Sequence, residues 1–172
     1  RFGSVSGALG ATPQRLMEID GIGETAAVYL RATHLLLQRT AGEEVKGREV
    51  ISNWAALLSY VKVRLQHETT EQSRALYLDR KNKLIADEQL GRGTVDQAPV
   101  YPREVARRAL ELAASSVILV HNHPSGDPTP SNADVDMTRQ IVEAGRALRI
   151  LVHDHLVVGR DGVVSFKSLG LL

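Results

Sequence analysis

Two histidines, a serine and an aspartate stand in order in the segment His121-Asn122-His123-Pro124-Ser125-Gly126-Asp127-Pro128-Thr129-Pro130-Ser131-Asn132-Ala133-Asp134. The apolar run Ser116-Val117-Ile118-Leu119-Val120 leads into it and reads as a strand. Residues two apart on a strand face the same way, so His121 and His123 are expected to present both imidazoles to one site. Asp134 can add a third ligand, and Ser131 a hydroxyl beside it. Two histidines and one carboxylate leave one tetrahedral position of a zinc ion open to water, the layout of a hydrolytic metal site.

The elements that must position these groups are legible on either side. Ser131-x-x-Asp134 reads as a capping box, a variation on Ser/Thr-x-x-Glu, and Pro128 and Pro130 stiffen the loop before it. Such a cap fixes the first helical turn and aims Asp134 back at the histidines. The helix is expected over Asn132 to Leu148, followed by a strand from Ile150 to Val158 and a second from Val163 to Phe166. Upstream, Ser73–Leu78 and Leu84–Leu90 read as a hairpin around Asp79-Arg80-Lys81-Asn82-Lys83. Pro102 opens a helix with Val105, Ala109, Leu110 and Leu112 on its apolar side. Ser52 is expected to cap a helix carrying Trp54, Leu57, Leu58, Val61 and Leu65.

The first 40 residues read as helical. Thr12 and Pro13 open a short helix, Asp20-Gly21-Ile22-Gly23-Glu24 makes a tight turn, and a second helix runs from about Thr25 to Arg39. Ala26, Leu30, Leu35 and Leu37 are among its apolar residues, and Ala41-Gly42-Glu43-Glu44 is expected to end it as a linker. The organisation predicted is therefore a helical module over 1–40, a linker over 41–51 and a mixed-sheet domain over 52–172.

Composition narrows the chemistry. The chain has 172 residues, 43% apolar and 24% charged, as in ordinary globular domains. Cysteine is absent, which excludes disulfides, thiol nucleophiles, thiolate zinc sites and the cysteine-ligated zinc deaminases. A cysteine-free chain fits a reducing compartment, and a cytoplasmic location is expected. No apolar run is long enough to span a bilayer, so no membrane partner is expected. A net charge of +1 is too small to argue for nucleic acid by itself. Arg rather than Met at position 1 predicts a piece of a longer chain.

The spacing His-x-His, seven residues, Ser, two residues, Asp resembles the JAMM signature of MPN-domain metalloproteases. The surroundings narrow the likeness. Val100-Tyr101-Pro102-Arg103-Glu104-Val105, Ala109-Leu110-Glu111-Leu112, His121–Pro128, Asp154-His155 and Val158-Gly159 look like the bacterial RadC family. That resemblance implies an α+β fold: a mixed β-sheet flanked by helices, MPN/JAMM and cytidine-deaminase-like, behind a small all-α module. It implies that His121, His123 and Asp134 hold zinc, that Ser131 supports the oxyanion, and that an upstream glutamate is general base. Glu71, just before Gln72–Leu78, fits that glutamate best, and Glu68 is the alternative. The activity implied is hydrolysis of a peptide or isopeptide bond in a protein or peptide substrate. The alternative is a DNA-associated repair or recombination accessory in which the metal is structural; a nuclease is less favoured, since few residues could clamp a phosphate.

Two further features compete for a role. His153-Asp154-His155 is a second His-x-His, read as sheet packing or a supporting hydrogen bond, with both rings on one face and Asp154 opposite. Ile19-Asp20-Gly21-Ile22-Gly23 resembles a helix-hairpin-helix, whose backbone N–H groups can hold a DNA phosphate without reading sequence. Asn122, Ser125 and Asp127 read as loop-fixing residues, and His34 and His67 as helical residues without partners nearby in sequence.

Overall fold

The computed structural model describes residues 1–93 and 100–172. Strands β1 (Gln72–Leu78) and β2 (Leu84–Arg92) form the expected hairpin. Asp79 Oδ1 accepts from the backbone N–H groups of Lys81 and Lys83 at 2.8 and 2.9 Å, and Asn82 takes φ 56°, as a tight polar turn requires. Strand β3 (Ser116–Asn122) pairs antiparallel with β1. Strand β4 (Leu151–Gly159) runs parallel to β3, and β5 (Gly162–Ser165) closes the edge antiparallel to β4. The order β2-β1-β3-β4-β5 makes a mixed five-stranded sheet, the expected α+β class.

A parallel pair cannot be joined by a hairpin, and the crossover from β3 to β4 is helix α6 (Asn132–Ala147). Helix α5 (Pro102–Glu111) shares its face of the sheet, where Val105, Ala109 and Ile141 pack with Ala75, Tyr77, Val117 and Leu119. Helix α4 (Trp54–Leu65) covers the other face, where Leu57, Val61 and Leu65 meet Leu76, Leu78, Ile118, Val120 and Leu156. Strand alternation thus sends odd residues of β3 toward α5 and α6, and even residues toward α4. Cover on both faces explains why β1 and β3 are buried throughout. Each fully buried aliphatic side chain contributes about 1.5–3 kcal/mol.

Three helices precede this sheet: α1 (Val5–Gly10), α2 (Pro13–Met17) and α3 (Glu24–Val45). Thr12 caps α2 as expected, its hydroxyl accepting from Arg15 N. Gly21 takes φ +86°, open to glycine and strained for a side chain, in the turn between α2 and α3. Ala11, Leu16 and Ala27 form a small separate core with Phe2, Ile22 and Leu30.

Helix α3 departs from the sequence reading at its end. It does not stop near Arg39; Ala41–Glu44 is helical, and the helix runs to Val45. Gly42 marks a crossing rather than an end, because a Cβ there would sit 3.4 Å from the ring of Tyr60 in α4. Its middle turns bury polar rather than apolar side chains. Leu35 and Leu37 are 51% and 46% exposed, whereas His34 and Gln38 are each 5% exposed. The last carbonyls of α4 explain this. A helix end leaves its final C=O groups without intrahelical partners, and Gln38 Nε2 donates to Val63 O and Arg64 O at 3.2 Å each. His34 then has its partner in Gln38, four residues on, at 3.0 Å.

A smaller correction concerns Ser52. Ser52 does not cap α4; its hydroxyl donates to Glu49 O, and Asn53 occupies the cap position. On the α4 face, Arg74 Nε donates to Asp87 Oδ1 at 2.7 Å, with side chains only 7% and 12% exposed, and the Tyr60 hydroxyl also donates to Asp87. Among the described residues, no helix is long and apolar enough to cross a membrane.

Candidate metal centre

Odd-numbered alternation places His121 on the α6 face at the end of β3, and His123 follows two residues later, just past the strand. Helix α6 begins beside them. Ser131 is its N-cap, with a complete capping box: Ser131 Oγ accepts from Asp134 N at 3.2 Å, and Ser131 N donates to Asp134 Oδ2 at 2.7 Å. The cap holds Asp134 in the first turn, facing the histidines. His121 Nε2 lies 3.0 Å from His123 Nε2 and 3.3 Å from Asp134 Oδ1, and His123 Nε2 lies 3.5 Å from Asp134 Oδ2. The three predicted ligands are therefore brought together, as a His-His-Asp group that could hold a metal ion.

The donor set suits such an ion. Ligand atoms about 2.0–2.2 Å from one tetrahedral ion stand roughly 3.3–3.5 Å apart, close to the separations seen here. His123 Nδ1 donates to Asp127 O at 2.8 Å, which leaves its Nε2 lone pair directed at the cluster. His121 Nδ1 is engaged by His155 Nε2 at 2.8 Å, so its Nε2 also faces the cluster. Two imidazole nitrogens and a carboxylate converging this closely could hold a metal ion between them.

The electrostatics agree. Burial pushes the Asp134 carboxyl up, but the adjacent His121, His123 and Ser131 outweigh it and hold the group well below the usual carboxylate range. Its hydrogen bond with Asp134 raises the pKa of His123, against the effect of burial. Complete burial holds His155 well below the ordinary histidine value, and therefore neutral.

Strand register decides what else reaches the site. Ser73 of β1 pairs with His121, and Gln72 N donates to Asn122 Oδ1 at 2.9 Å. Glu71 immediately precedes β1, and its charge is near enough to His123 to help raise that imidazole's pKa. Asn122 Nδ2 also donates to Thr70 O at 3.2 Å, so Asn122 ties the lead-in to β1 against the end of β3. Glu68 is held elsewhere: its carboxylate accepts from Gln72 Nε2 at 2.8 Å and lies 3.9 Å from Arg31. The Ser131 hydroxyl donates to Asp134 Oδ2 at 2.6 Å.

The loop between the ligands is closely seated. Asp127 Oδ1 accepts from Thr129 N at 2.9 Å, the turn expected of it. Gly159, at the end of β4, lies so near Gly126 O and Pro128 N that a Cβ would collide with both. The second His-x-His supplies the expected supporting hydrogen bond through His155, but its two rings do not share a face. A bulge in β4 pairs Val117 with Val152 but Ile118 with Asp154, so His153 slips out of phase. His153 Nε2 meets Asn82 Oδ1 at 2.8 Å, while His155 faces His121; the two rings do not share a site. Asp154 accepts from Ser165 Oγ, Lys167 N and His155 N, fixing β4 to the chain after β5. Thr138, which sequence reasoning missed, joins His155 Nδ1 at 2.6 Å. Its signal was its position one helical turn after Asp134.

The sequence is also similar to known proteins. A family model described as the RadC-like JAB domain matches residues 51–171, which takes in the whole sheet and the three ligands. A UPF0758 protein of Rhodobacter capsulatus is 55% identical over 171 residues, covering 99% of this chain and 80% of that protein. With the family match running through every strand of the sheet, and the likeness to a relative running through nearly the whole chain, this chain belongs to the RadC family.

Proposed function

We propose that this chain is a zinc-dependent hydrolase of the JAMM type, acting on a peptide or isopeptide bond. The observation that carries the reading is the convergence of His121, His123 and Asp134 at ligand spacing, with the Glu71 charge near enough to act on His123. The nitrogen and oxygen donors suit zinc, which, when bound, lowers the pKa of a water and polarises a carbonyl. Glu71 takes a proton from the attacking water at its carboxylate and passes it to the leaving nitrogen. Ser131 turns its hydroxyl from Asp134 to the developing oxyanion, and its backbone N–H keeps Asp134 in place meanwhile. Asn122 keeps Glu71 at its distance from His123 by pinning residues on both sides of it.

Glu71→Gln is the test. Zinc content measured by atomic absorption should stay at the wild-type level, while turnover of an isopeptide-linked or peptide library falls about 10²–10⁴-fold. Equal product profiles from zinc-loaded wild type and Glu71→Gln would refute the catalytic assignment.

A second reading, a DNA-associated accessory role with a structural metal, draws on the turn between α2 and α3. Gly23 caps α3 without a side chain, which leaves backbone N–H groups at a helix start for a phosphate. Glu24 in that first turn works against it. On this reading a duplex shift at low salt weakens steeply with added salt and disappears in Gly21→Val. Absence of any shift at low salt excludes it.

A further inference from the structure

Thr138 and His155 are each 1% exposed and belong to none of the three ligand positions. They nevertheless link two of the ligands. The Thr138 hydroxyl donates to Asp134 O at 2.6 Å. A hydroxyl has one proton, so toward His155 Nδ1, also at 2.6 Å, Thr138 Oγ1 can only accept. His155 therefore carries its proton on Nδ1 and offers a lone pair at Nε2. That lone pair faces His121 Nδ1 at 2.8 Å, and accepts a proton placed there. Every bond in the chain points the same way, from His121 to the main-chain carbonyl of Asp134. The carboxylate of that same residue faces His121 Nε2 at 3.3 Å, so the chain closes a ring through the centre.

We propose that Thr138 and His155 are positioning residues that lock His121 as its Nδ1–H tautomer, which leaves Nε2 unprotonated as the metal-binding atom. The inference rests on the metal centre described above and extends it to a residue pair outside the ligand set. His155 is well placed for this, since its ring stacks on Phe166 at 4.5 Å between centroids, which fixes its plane. The ring of contacts also ties the end of β3 to the first turns of α6 through β4, so the spacing of His121 from Asp134 does not depend on the loop alone. Without the threonine hydroxyl, His155 loses the partner that selects its tautomer. The opposite tautomer would donate to His121 Nδ1 and move the His121 proton onto Nε2, where it blocks the ligand position.

The experiment is long-range ¹H–¹⁵N correlation on zinc-free, ¹⁵N-histidine-labelled protein, for wild type, Thr138→Val and Thr138→Ser. Wild type should show His121 protonated at Nδ1. Thr138→Val should shift His121 toward the Nε2–H form and weaken zinc binding about 10–100-fold, and Thr138→Ser should restore both. An Nε2–H His121 in wild type overturns the proposal without need of a variant. So does a Thr138→Val protein with a lowered unfolding midpoint but an unchanged tautomer and zinc affinity, the result of a purely packing role. The spectra need neither metal nor substrate, so loss of the hydrolase reading would be seen separately: an Nδ1–H His121 with no peptide cleavage supports the lock and removes only the activity.

Discussion

Asp134→Asn is expected to lower zinc affinity at least about 100-fold while leaving the unfolding free energy within about 1 kcal/mol of wild type. The two effects separate because Asp134 has two jobs. Its Oδ2 accepts from Ser131 N and Ser131 Oγ in the capping box, and a carboxamide oxygen can still accept there. What asparagine lacks is the negative charge that faces His121 Nε2 at 3.3 Å and draws a cation into the cluster. A neutral amide is a far weaker ligand for a divalent ion than a carboxylate. Asp134→Ala removes both functions, and the cap loss should add roughly 1 kcal/mol of destabilisation. Competition against a chelator reports affinity, and urea unfolding of the metal-free protein reports stability. Wild-type affinity in Asp134→Asn would mean that the carboxylate is not a ligand.

Asp87→Ala should be the most destabilising single change away from the centre, by about 3–5 kcal/mol. Arg74 would keep its charge in a place where its side chain is 7% exposed, with its partner gone. The Tyr60 hydroxyl would lose its acceptor at the same time. Burial and Asp87 together raise the Tyr60 pKa, so the hydroxyl is firmly a donor and cannot adapt by ionising. Arg74→Met combined with Asp87→Leu should recover most of the loss, because replacing both charges leaves none unpaired. The readout is the urea midpoint at constant slope. A single-variant loss under 1 kcal/mol would show that water reaches the pair.

Such a change lies beyond the reach of sequence reading, and the reason is instructive. Arg74 and Asp87 look like two surface charges on a hairpin. Only the packing of α4 and α3 over that face makes the pair buried. The same holds for α3, where Leu35 and Leu37 are exposed while the open carbonyls at the end of α4 draw Gln38 and His34 inward. Helix periodicity identifies two faces; it does not say which neighbour each face will meet. The register of β1 on β3 is likewise non-local. It sets Ser73 against His121, and pairing between strands about fifty residues apart is chosen by core packing as a whole.

The candidate metal ligands were legible for the opposite reason. Strand alternation aligns His121 with His123 within three residues, and a capping box aims Asp134 within four. Both are short-range geometry that the local sequence determines by itself, as it also determined the β1–β2 hairpin through Asp79 and Asn82. What only tertiary structure decided is how those ligands are held and charged. A bulge at His153 puts His155, and not its neighbour, against His121. A threonine one turn into α6 then sets the direction of every proton in the chain that ends there. Bulges and one-way hydrogen-bond chains arise where separate elements meet, and their free energy comes from contacts that no single segment contains.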